Sequence, residues 1–164
     1  MQLLSTLTPL ALLVTVASAT GKAVNNAVGN AVVTNHCKDP IYLWSVGSSV
    51  SPKHTIPSGS NYTEPFRHDD ASGGIALKIT RNDNGLYDGS AQLVYSYALD
   101  GEQVWYDLSS VFGDAFAGEA VAVKPENEGC GSICWPKGTT PGGSQVKVCD
   151  AEGDVGLVVC AKGC

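Results

Sequence analysis

The chain has 164 residues, of which 43% are hydrophobic and 16% charged, with a formal charge of −6 at pH 7 and 19 Gly, 8 Pro and 6 Cys. An apolar share of that size excludes a disordered chain, and the length fits one domain. The dispersed negative charge argues against binding to nucleic-acid backbones, which needs the opposite sign, and reads first as solubility.

Met1 to Ala19 carries no charged side chain, has a mostly apolar run from Leu10 to Val16, and ends in Ala17-Ser18-Ala19. That layout predicts a secretory signal peptide over residues 1–19, cleaved before Thr20. The run is too short and too broken by Ser, Thr and Pro9 to be a membrane span, which needs about 20 apolar residues. No second long apolar run follows, so residues 20–164 are expected to form one secreted domain, free in the medium or held in a cell wall.

Gly21 to Asn30 is small and polar, an arm before the first strand. Apolar and β-branched runs then alternate with Gly, Pro, Asn and Asp. Strands are predicted at Ala31–Thr34, Ile41–Val46 and Ile75–Thr80, with irregular chain from Gly47 through Pro52 and Pro57. Gln92–Leu99 and Glu102–Leu108 flank Asp100-Gly101, which reads as a hairpin with a two-residue loop. Ala120–Lys124, Val146–Cys149 and Val155–Cys160 complete the set. No segment keeps a helical period, so the expected class is an all-β sandwich of short antiparallel strands.

An even number of cysteines in a secreted chain implies disulfides. Cys130, Cys134, Cys149, Cys160 and Cys164 crowd the C-terminal end, and Cys37 stands alone. If all six pair, Cys37 must reach the C-terminal cluster and tie the first strand to the end of the chain. The Cys-x3-Cys spacings of Cys130/Cys134 and Cys160/Cys164 also suit zinc, but the compartment favours bridges. No metal or other cofactor is expected.

Catalytic signatures are missing: there is no Gly-x-Ser-x-Gly elbow, phosphate-binding glycine loop or His-Glu-x-x-His. Arg67-His68-Asp69-Asp70 is the densest polar tetrad and reads as solvated loop. Asp83-Asn84-Gly85 with Asp88, and Asp150-x-Glu152-x-Asp154, read as turns, since neither fits a calcium loop. In Trp105-Tyr106-Asp107-Leu108, alternation puts Trp105 and Asp107 on one face and Tyr106 and Leu108 on the other. An indole beside a carboxylate suits a sugar, because the ring stacks and the acid takes hydroxyl hydrogen bonds. Asn61-Tyr62-Thr63 is a glycosylation sequon in a polar stretch.

The stretches Tyr42-Leu43-Trp44-Ser45-Val46, Gly74-Ile75-Ala76-Leu77-Lys78-Ile79-Thr80-Arg81, Val104 to Asp114 and Gly142 to Cys149 resemble the Blastomyces yeast-phase-specific protein family. Those are small secreted antigenic thaumatin-like proteins of fungi, and Asn35-His36-Cys37 with the strand after it resembles the thaumatin-like opening. The resemblance implies a thaumatin-like β-sandwich and export to the medium or cell wall. It also implies a bridge from Cys37 to the last strand, with Cys160 the first choice and Cys164 the second. The wider group often has an acidic cleft of one Arg, one Glu and three Asp, associated with β-1,3-glucan binding or weak hydrolysis. Carried over by motif, the Arg position falls on Lys78, the Glu on Val94 and the first Asp on Asp107. The second falls near Phe112, with Asp114 two residues later as a stand-in, and the motifs do not place the third. A valine can neither protonate a leaving oxygen nor activate water.

The expectation is therefore a non-catalytic binding or structural protein of the fungal surface, with a candidate cleft of Lys78, Trp105, Asp107 and Asp114. Its expected partner is cell-wall β-glucan. The alternatives are an antigen, adhesin or effector that binds a host or other extracellular protein, and a weak β-1,3-glucanase.

Overall fold

The computed structural model describes residues 28–164; the expected signal peptide and most of the polar arm lie outside the described residues. Eleven strands, and no helix, are found there. They are β1 (Asn30–Asn35), β2 (Ile41–Val46), β3 (His54–Ile56), β4 (Asn61–Pro65), β5 (Ile75–Thr80) and β6 (Gln92–Asp100). After the hairpin come β7 (Gln103–Val111), β8 (Ala120–Pro125), β9 (Ile133–Trp135), β10 (Lys147–Asp150) and β11 (Val155–Ala161).

Two sheets form, ordered β4-β1-β11-β8-β9 and β10-β7-β6-β5-β2-β3. Every named pair is antiparallel except β1 with β11, which puts the first strand beside the last, in parallel register from Ala31↔Val155 to Asn35↔Val159. The core lies between the sheets and is filled by alternate residues of each strand, including Leu43, Leu77, Tyr95, Tyr106, Leu157 and Trp135. The two tyrosines bring hydroxyls into it, and both are satisfied: Tyr95 donates to the Val155 carbonyl (2.9 Å) and Tyr106 to that of Gly131 (2.5 Å).

Asn35, fully buried, shows why Asn-x-Cys stands at the end of β1. Its amide donates to the Asp39 and Ile56 carbonyls (both 2.9 Å) and its oxygen accepts the Cys37 N–H (2.8 Å). The side chain thus replaces the missing sheet partners as the chain leaves the strand. Cys37 bonds to Cys160, Cys130 to Cys149 and Cys134 to Cys164.

The structure departs from the predicted elements in three places, one being β9, an edge strand where none was predicted. The stretch read as irregular contains β3, and the polar stretch of the sequon contains β4; both are short edge strands whose partners supply the order that their own polar pattern does not. The hairpin loop shifts by one residue: Asp100 pairs with Gln103, and the loop is Gly101-Glu102. Gly101 takes φ 59°, the positive value that a II′-type loop needs at its first position.

Candidate functional site

The outer face of the six-stranded sheet carries the site. Its rows follow from the register: Val46, Ala76, Ser96 and Asp107 lie side by side across β2, β5, β6 and β7. The next row in one direction holds Ala98, Trp105 and Val148, and in the other Trp44, Lys78, Val94 and Ser109. Ala76, Ser96 and Ala98 are small, so the middle of the face is low where its flanks are high. The result is an open groove of about 530 Å³. Val46 and Gly47 form one flank, and Trp105, Asp107 and Val146 the other.

Ser72, Gly73 and Gly74 close one end. Two glycines let these loops come in: a Cβ on Gly74 would sit 2.7 Å from the Tyr97 carbonyl oxygen, and one on Gly47 2.6 Å from Asp69 Oδ2. Asp69 fastens this rim. Its Oδ2 accepts the Ser48 N–H (3.0 Å) and hydroxyl (2.8 Å), and its Oδ1 accepts the N–H groups of Ser72 (2.8 Å) and Ala71 (3.2 Å). The Ser48 and Ser72 amides, followed by their hydroxyls, hold this carboxyl far below the usual range. In the tetrad read as solvated loop, Asp69 is thus a rivet between two loops. Arg67 reaches inward to the Ser45 hydroxyl (2.9 Å), and His68 Nδ1 lies 3.0 Å from the Leu99 carbonyl oxygen.

Trp105 and Asp107 share the groove flank while Tyr106 and Leu108 are in the core, as alternation requires. The indole is 44% exposed, enough to offer a face to a ligand. Asp107 is the one carboxylate among the groove residues. Lys78 and Val94 lie one row away on the same face, so three positions carried over by motif do meet. Val94 is buried. Asp114 does not join them: it follows β7 and accepts the Thr140 N–H (3.0 Å) and hydroxyl (2.8 Å), fixing a loop. The small floor residues and the Asp69 rim were not legible as a site, because only the register puts them beside Trp105.

Elsewhere, Glu64 accepts the hydroxyls of Tyr62 (2.7 Å) and Tyr97 (2.6 Å). Burial first, and then the Glu64 carboxylate, push both phenols far above their ordinary value. Among the described residues no group of three or more His, Cys, Asp or Glu could hold a metal ion, and no helix could cross a membrane.

Residues 17–161 match the family described as Blastomyces yeast-phase-specific protein. The chain belongs to that family. Among curated relatives, an antigenic thaumatin-like protein of Arthroderma benhamiae is 31% identical over 167 residues, covering 96% of this chain and 81% of that protein. The secreted thaumatin-like protein calA of Emericella nidulans is 35% identical over 83 residues, 51% of this chain and 46% of its own length. The crystal structure of the protein elicitor MoHrip2 from Magnaporthe oryzae superposes with a TM-score of 0.67 at 25% identity, over 81% of this chain and 99% of that one. The fold of this family member is thus a thaumatin-like β-sandwich with three disulfides.

Proposed function

We propose that this protein is secreted, its first 19 residues being removed, and acts at the fungal surface as a non-catalytic binder of wall β-1,3-glucan. Relatives named secreted and antigenic support the location. The observation that carries the binding reading is the half-exposed Trp105 indole beside Asp107 over a floor of small residues. A sugar ring stacks on such an indole, and the carboxylate and Ser96 meet its hydroxyls.

Hydrolysis needs a second carboxylate with its proton retained near neutral pH. The groove offers Asp107 alone, and Asp69 on its rim is held ionised by its donors. The sequon residues Asn61 and Thr63 are both exposed on the edge strand of the other sheet, so a glycan at Asn61 would leave the groove clear.

The test is retention of residues 20–164 on particulate β-1,3-glucan, with titration of a β-1,3-linked trisaccharide. Trp105→Ala is expected to weaken binding about tenfold with little change in stability, and no sugar is released. Absence of retention, or product release abolished by Asp107→Asn, would overturn the reading. A second reading, outward action on a host protein, draws on the elicitor whose fold is shared. Binding to host surfaces but not to glucan would establish it.

A further inference from the structure

The Cys37–Cys160 bridge lines a second cavity, of about 240 Å³, at the far end of β5 from Ser72 and Gly74. It shares no residue with the groove. Arg81, the first residue after β5, lies against that bridge. Its Nη2 is 3.5 Å from Cys160 Sγ and 3.9 Å from Cys37 Sγ, and its guanidinium carbon is 5.0 Å from the centre of the buried Phe116 ring. The ring and the sulfurs place the guanidinium without neutralising it. Among the described residues Arg81 bonds to no oxygen, so most of its five N–H donors are left for a guest. A guanidinium held in this way takes a carboxylate through two parallel hydrogen bonds.

Lys38 adds a second positive charge, and Asp39 and Glu119 bring two carboxylates to the same cavity. The ion pairs among the described residues, Lys53 with Asp83 and His68 with Asp70, involve none of these four. The chain that carries them is fixed. Fully buried Asn35 binds both the Asp39 carbonyl and the Cys37 N–H, and the Glu119 N–H donates to the Phe116 carbonyl (2.9 Å). The carboxylates repel a phosphate or other polyanion, and the two cations repel a polyamine. An apolar guest would strip water from all four charges. A guest with one charge of each sign satisfies both sides. At roughly 30 Å³ for each water, the cavity holds the volume of about eight waters, which suits one free amino acid.

We propose that this cavity binds a free α-amino acid, with its carboxylate on Arg81 and its ammonium toward Asp39 and Glu119. The sulfurs of the bridge offer its side chain an apolar wall. This site stands apart from the glucan reading of the groove, since neither uses a residue of the other.

The experiment is calorimetric titration of residues 20–164 with L-alanine, L-leucine and L-glutamine, and with the amide and the N-acetyl form of each. At least one of the three is expected to bind. Its amide, which lacks the carboxylate, and its N-acetyl form, which lacks the ammonium, should each bind at least about tenfold more weakly. Arg81→Gln should cost at least about tenfold, and Arg81→Lys less, because lysine keeps the charge but not the fork. Glu119→Gln leaves Arg81 on Phe116 and should weaken the amino acid without weakening its N-acetyl form further. The unfolding midpoints of the three variants without guest should stay near that of the parent. No binding of any of the three amino acids, an N-acetyl form that binds as well as its parent, or an affinity unchanged in Arg81→Gln would overturn the proposal.

Discussion

The bridge between Cys37 and Cys160 permits the sharpest quantitative test of how this fold is held. The two residues are 123 apart in sequence, although β1 and β11 are neighbours. Without the bridge, that parallel pairing must close a very long loop, a cost set by the entropy of the unfolded chain. The chain-entropy relation gives about 5 kcal/mol for this bridge before native strain, against about 3 kcal/mol for Cys130–Cys149 with its separation of 19. Cys37→Ala with Cys160→Ala should therefore cost about 2 kcal/mol more than Cys130→Ala with Cys149→Ala. A further discrimination comes from Cys160, which interrupts the β11–β8 register at φ 53°. Replacing it by Gly rather than Ala should recover about 1 kcal/mol, reversing the usual penalty for glycine in a strand. Urea unfolding followed by the fluorescence of the buried Trp135 and Trp44 measures both differences, with the slope expected to rise as the cross-link is lost. Equal costs for the two pairs of replacements would refute the entropic reasoning, and an alanine variant as stable as the glycine variant would refute the strain.

Tyr97→Phe removes a hydroxyl that donates to Glu64 at 2.6 Å while keeping the ring against Phe66, and should cost about 1.5 kcal/mol in a calorimetric scan. Because the folded pKa of this phenol is raised, its contribution is complete below the ordinary tyrosine value of about 10 and is lost at higher pH. The variant should accordingly lose less stability than the parent between neutral and strongly alkaline pH. Asp69→Asn leaves the Ser48 and Ser72 amides with one acceptor fewer and should weaken trisaccharide binding, while Asp70→Asn should not. Since the folded pKa of Asp69 is lowered, its contribution is present above about pH 4 and lost as pH falls, so the variant should show a flatter acid limb in a stability profile.

How much of this was legible in the sequence depended on whether a residue acts through its own strand or through its neighbours. Alternation within β7 placed Trp105 and Asp107 outward and Tyr106 and Leu108 inward, and that is how they lie. β3 and β4 were hidden because an edge strand needs only one paired side and little apolar pattern; β4 alternates merely between exposed and half-buried. The shift of the hairpin loop has a similar origin, since Asp-Gly marks a turn without fixing which pair closes it.

The groove was illegible for a different reason. Ala76, Ser96 and Ala98 are unremarked small residues on two separate strands, and they become a floor only when the register sets Val46 on one side and Asp107 on the other. A one-residue slip of β6 would turn Ser96 and Ala98 inward and Tyr95 and Tyr97 outward, filling the depression with two rings. That slip is opposed from the core, where the Tyr95 hydroxyl is bound to Val155 and that of Tyr97 to Glu64, both on the opposite sheet. The shape of the outer face is thus held by hydrogen bonds on the inner one.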